Sequence, residues 1–179
     1  ILPYGMPQET VFAALNDADY LVLHPATLTG EAVRQAGKLR LIQLLAAGYD
    51  KVDLAAAQHA AIPVATNGGA NAWAVAEHAI ALLLALYKRL TACDAAVRRG
   101  DWRQPVDGFN TFELAGKTVG IIGFGGIGAE MARLCAGCGM RVLAWNRSPR
   151  EAPAGVTFTD IDTLLAESHV VSLHLLLND

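Results

Sequence analysis

A chain of 179 residues has room for one large domain or two small ones. Apolar residues make up 53% and charged residues 17%, which excludes a disordered chain and predicts packed cores. The formal net charge is −3 and the basic residues are scattered, with small clusters at Lys88-Arg89 and Arg98-Arg99, so no nucleic-acid partner is expected.

Short β-branched and leucine-rich runs alternate with helical patterns along the first third. Tyr20 to Leu23, Leu41 to Leu45 and Pro63 to Ala65 read as strands. Helical stretches near Glu9 to Leu15, Gly30 to Gly37 and Asp53 to Ala60 separate them, with Asp53 placed to cap the last. This alternation predicts βαβ units and a parallel sheet.

Asn67-Gly68-Gly69 breaks the pattern with a turn. One long helix is predicted from Asn71 to Arg99, capped by Asn71 and buried on most sides because its apolar positions run around the circumference. Its longest apolar run, Ala79 to Tyr87, falls far short of the roughly 20 residues that cross a bilayer, so no membrane partner is expected. The stretch from Gly100 to Gly116 lacks periodicity yet carries Trp102 and Phe109; it is read as a dimer arm, with a loop folded back on the same chain as the alternative, and a homodimer is expected.

From Lys117 the alternation restarts, with strands at Thr118 to Ile122, Arg141 to Trp145 and Val170 to His174, and helices at Gly126 to Cys138 and Asp160 to Glu167. The fold class predicted is α/β, a Rossmann-type doubly wound parallel sheet, incomplete, with a second α/β domain before it. Cys135 and Cys138 have a redox-like spacing but fall in a helix that packs on the sheet, where buried packing is the better reading. A reducing, cytoplasmic setting follows from three cysteines without a disulfide framework.

The strongest signal is Gly123-x-Gly125-x-x-Gly128, directly after an apolar strand and opening a helix. In that context it predicts a dinucleotide site: Gly123 for the tight turn, Gly125 for close approach to a pyrophosphate, Gly128 for helix–strand packing. Gly126 and Ile127 stand at the helix N-terminus that faces the phosphates. No Gly-Lys-Ser/Thr follows, which excludes a P-loop.

About 20 residues on, an acidic residue would hold the ribose 2′-hydroxyl of NAD. Asn146 stands there instead, followed by Arg147, Ser148 and Arg150. Without a carboxylate to repel a 2′-phosphate, and with two guanidiniums to pair with it, NADP(H) is favoured over NAD(H).

Several segments together resemble D-isomer-specific 2-hydroxyacid dehydrogenases: Leu41 to Asp53, Ile62-Pro63-Val64, Asn71 through His78, Leu114 to Gly120, and Val171 to Leu175. The resemblance implies a flavodoxin-like substrate domain over residues 1–70 and an NAD(P)-binding domain over 71–179, the latter cut after its first mononucleotide half. It implies that backbone N–H groups at Ala47 and Gly48 hold the substrate carboxylate, that Val75 lies near the nicotinamide, and that His174 and Leu175 lie near the cofactor ribose. Many members carry a proline where this chain has Leu176. The catalytic Arg, Glu and His of the family would follow Asp179, so no catalytic residue is assigned within the chain. His78, on a helix expected to be buried, and His174, His24 and His59 are read as packing or cofactor contacts rather than as a catalytic acid. The implied activity is hydride transfer between NAD(P)H and a small 2-keto or 2-hydroxy acid, glyoxylate and hydroxypyruvate first. The alternative is a nucleotide-sensing module like the family's corepressors.

Overall fold

In the computed structural model, residues 8–24, 26–101, 111–148 and 150–175 are described. They form two units, Ile1–Ala70 and Asn71–Asp179.

The first unit holds helices α1 (Gln8–Leu15), α2 (Gly30–Gln35) and α3 (Leu54–His59) and strands β1 (Tyr20–Leu23), β2 (Leu41–Leu44) and β3 (Val64–Ala65). The strands pair in parallel in the order β1-β2-β3, with Tyr20 opposite Leu41 and Ile42 opposite Val64. Thr29 and Asp53 start their helices, each accepting from the backbone N–H three residues on, at 3.3 and 2.9 Å. Leu28, Val33, Ile42 and Ala57 centre the core.

Just past α3 and its C-cap Ala60, Ala61 lies at φ +54, the left-handed region that a Cβ disfavours. The turn persists because Ile62 N–H reaches the Ala57 carbonyl at 2.9 Å and buries the Ile62 side chain. Ala61→Gly is therefore expected to raise unfolding stability by about 0.5–1 kcal/mol, the strain removed less the entropy glycine adds. Ala60→Gly, at φ −80, should lower it. Paired thermal melts check both.

The second unit contains α4 (Ala72–Tyr87), α5 (Leu90–Arg98), β4 (Thr118–Ile122), α6 (Gly126–Gly137), β5 (Arg141–Trp145), β6 (Val156–Phe158), α7 (Ile161–Glu167) and β7 (Val170–Leu173). All strands are parallel, in the order β6-β5-β4-β7. The pleat divides the core in two. Val119, Ile121, Val142 and Ala144 pack with α4 and α6 residues such as Ala76, Leu83 and Met131, while Ile122 and Leu143 pack with Leu164 of α7. Every residue of β4 is buried.

Two expectations need correction. The single helix over 71–99 is two helices, broken at Lys88-Arg89 with Arg89 at φ +50. The Tyr87 carbonyl, which a continuing helix would direct at its own next turn, accepts the Phe112 N–H at 3.0 Å instead. Asn71 makes no side-chain cap, and within its unit α4 buries Ala72, Ala76 and Leu83 while Leu82, Leu84, Leu86 and His78 are exposed.

Of the stretch over 100–116 read as a dimer arm, residues 100–101 and 111–116 are described. Phe112 packs edge-on against Tyr87 with ring centroids 5.8 Å apart, and Leu114 enters the unit's own core. Residues 102–110, including Trp102 and Phe109, lie outside the described residues, as does Leu176. Finally, β6 is a strand the sequence pattern did not reveal.

Candidate functional site

In the second unit β5 and β6 lie to one side of β4, and the chain then crosses to place β7 on the other. Strand order thus reverses between β4 and β7, and a doubly wound sheet opens a crevice at the carboxyl ends of the strands at such a point. The glycine turn follows β4 there.

Each glycine meets a different constraint. Gly123 sits at φ +95, its N–H donates to the Trp145 carbonyl at 2.9 Å, and a Cβ on it would run into the His174 carbonyl. A Cβ on Gly128 would strike the Gly123 carbonyl oxygen, so the first turn of α6 rests directly on the loop. Around Gly125 an added Cβ meets no protein atom within 4 Å. No side chain caps α6 at Gly125. Gly126 and Ile127 form its first residues, with Ala72 of α4 lying 3.7 Å from where a Gly126 Cβ would stand. Open space in front of uncapped helix N–H groups is what a pyrophosphate requires, so these residues fit the group.

The end of β5 meets the same turn. The Asn146 side chain accepts from the Phe124 N–H at 3.2 Å and donates to the Ser148 carbonyl at 2.9 Å. Arg147, Ser148 and Arg150 are exposed, and among the described residues neither arginine forms an ion pair. Phe124 is buried edge-on against Phe158 at 5.1 Å, which fixes the turn from below.

On the other side, His174 follows β7 and its N–H donates to the Ile122 carbonyl at 2.8 Å. Its Nε2 lies 2.9 Å from Ser172 Oγ. Ser172 was missed by sequence reasoning, although residues two apart at a strand end share a face. Burial holds the His174 imidazole below its usual 6.5. The folded protein therefore takes up this proton less readily than the unfolded chain. The stability this confers is complete above about pH 6.5 and is lost as pH falls toward the lower folded value. His174→Gln should flatten the fall in melting temperature between about pH 7 and about pH 5. Leu175 is 58% exposed, with its side chain beside Gly123. Val75, in the first turn of α4, is also partly exposed. Trp73, which sequence reasoning passed over, carries the Arg133 guanidinium 4.2 Å above its ring.

Cys135 is fully buried and its thiol is pushed up to about 12, first by burial and then by the neighbouring Cys138, which suits packing and not redox exchange.

In the first unit, Ala47 and Gly48 lie in an exposed loop after β2. A half-open pocket beside Gly48 is floored by Leu23, Leu44 and Val52 and edged by His24, Tyr49 and Lys51. It sits at the carboxyl ends of β1 and β2, a position that would have drawn attention to His24, given little weight from sequence. His59 ends α3.

Solved structures share this architecture. An acyclic imino acid reductase in complex with NADPH and D-Arg superposes with a TM-score of 0.87 at 28% identity, covering 98% of this chain and 57% of the other. In sequence, the chain is 35% identical to the glyoxylate reductase of Thermococcus litoralis over 181 residues, covering 96% of this chain and 55% of the relative. It is 33% identical to the hydroxypyruvate reductase of Thermotoga maritima over 175 residues, covering 97% and 56%. Residues 80–179 match the D-isomer specific 2-hydroxyacid dehydrogenase NAD binding domain. The fold and the glycine turn thus define a parallel α/β, Rossmann-type nucleotide-binding protein. The chain belongs to the D-isomer specific 2-hydroxyacid dehydrogenase family, and it spans about half the length of these two curated relatives.

Proposed function

We propose that this chain serves an NADP(H)-preferring reductase of small 2-keto acids, forming or consuming the D-2-hydroxy acid. The observation that carries the reading is the open, uncapped glycine turn at the strand-order reversal, beside a β5 end that bears Asn146 and two arginines in place of a carboxylate. Gly123, Gly125, Gly126, Ile127 and Gly128 would seat the pyrophosphate, Arg147, Ser148 and Arg150 the 2′-phosphate, and Val75, His174 and Leu175 the nicotinamide side. When bound, the cofactor supplies the hydride. Residues 71–179 act as the cofactor domain and residues 1–70 as the substrate domain, where the N–H groups of Ala47 and Gly48 anchor the substrate carboxylate and keep the keto group oriented.

Names of relatives support the substrate class, since glyoxylate and hydroxypyruvate reductases are among them. A homodimer in the cytoplasm completes the reading; three free thiols suit a reducing compartment. Steady-state turnover of glyoxylate and hydroxypyruvate by the protein as its cell makes it, with NADPH and with NADH, is the test. Turnover with a higher kcat/KM for NADPH is expected. Tight cofactor binding without turnover of either acid would sink the reductase reading in favour of a sensor.

A further inference from the structure

The Asn146 amide has two partners of opposite kind. Its Oδ1 accepts from the Phe124 N–H at 3.2 Å, and its Nδ2 donates to the Ser148 carbonyl at 2.9 Å. One partner is a donor and the other an acceptor, so a single orientation of the amide satisfies both. Phe124 belongs to the glycine turn; Ser148 belongs to the basic loop.

The two ends of this tie are not equally anchored. The turn is held independently, by the Gly123 N–H on the Trp145 carbonyl at 2.9 Å and by the Phe124 ring buried against Phe158. The loop is not: among the described residues, the bond from Asn146 to the Ser148 carbonyl is what holds residues 147–148, both exposed.

We infer that Asn146 is a positioning residue for cofactor choice, a latch whose amide holds the Arg147-Ser148 loop against the glycine turn, in the place from which a 2′-phosphate is read. The inference rests on the NADP(H) reading above and adds a physical role beyond the absence of a charge. An aspartate there would still accept from Phe124 N–H. Its second oxygen, however, would face the Ser148 carbonyl, acceptor against acceptor, so the loop would be displaced as well as the phosphate repelled. Alanine removes both bonds and adds no charge, which separates the latch from a purely electrostatic account.

The probes are adenosine 2′,5′-bisphosphate and 5′-AMP, which differ by the 2′-phosphate alone, titrated calorimetrically against the full chain. The wild type is expected to bind the bisphosphate more tightly. In Asn146→Ala that advantage should shrink roughly 3- to 10-fold, the factor that one or two neutral hydrogen bonds carry, with 5′-AMP affinity little changed. Asn146→Ser, whose side chain is too short to span to Ser148, should lose the same advantage, and it serves where the alanine variant fails to fold.

A variant that folds and keeps the wild-type advantage overturns the latch and leaves the NADP(H) reading standing. An equal loss for both ligands also overturns it, since the amide would then merely support the turn. A wild type with no preference for the bisphosphate overturns the latch and the NADP(H) reading together.

Discussion

Gly128→Ala is expected to cost about 1–3 kcal/mol of stability and to weaken dinucleotide binding at least roughly tenfold. The added methyl would strike the Gly123 carbonyl and lie 3.3 Å from the Ile121 methyl, both parts of a turn and strand with no room to yield. Helix α6 would have to lift from the loop, taking its N–H groups away from the phosphates. Gly125→Ala makes the informative contrast. Its methyl meets no protein atom, so the melting temperature should stay near wild type, while the methyl fills the space proposed for the pyrophosphate and NADPH binding is lost. Thermal melts and NADPH titrations on the two variants separate a packing glycine from a ligand glycine. A Gly125→Ala protein that binds NADPH normally would remove the turn from the cofactor site.

Arg147→Ala combined with Arg150→Ala should reduce NADPH affinity roughly 10- to 100-fold at low salt and leave NADH affinity nearly unchanged. Charge-assisted bonds to a phosphate are worth about 1.5–3 kcal/mol each, and exposure of both side chains places the combined effect below their full sum. The same exposure makes the wild-type preference sensitive to ionic strength, because the screening length falls to about 10 Å at 0.1 M salt. Dissociation constants for both cofactors across a salt series check this, and equal losses for NADPH and NADH would count against the loop as the reader of the 2′-phosphate.

The glycine turn was legible in the sequence because its constraints are local: a left-handed turn and a helix start within six residues leave Gly123, Gly125 and Gly128 in fixed spacing. The two parallel sheets were legible for a similar reason, since period and turn residues mark each βαβ unit. What escaped depends on contacts distant in sequence. Nothing between Ala72 and Arg98 is Pro or Gly, so local propensity runs on as one helix; the break at Arg89 reflects a bond from Phe112, far along the chain. Strand β6 is three residues long and has no period to detect; it exists by pairing with β5 and by the seat Phe158 finds against Phe124. At Asn146 the residue type was readable as the lack of a charge, but its hydrogen-bond partners were not, because one of them lies 22 residues away.

The placement of β7 beside β4 bears on how the chain is made. Thr118 and His169, which face each other at the start of these strands, are 51 residues apart. As the polypeptide leaves the ribosome, β4 can pair with β5 early, yet its other edge stays open until Val170–Leu173 has emerged. For that interval an apolar strand presents unpaired N–H and carbonyl groups to its surroundings. A nascent chain stalled before Val170 thus leaves β4 as the edge of the sheet, although every residue of that strand is buried once β7 is in place.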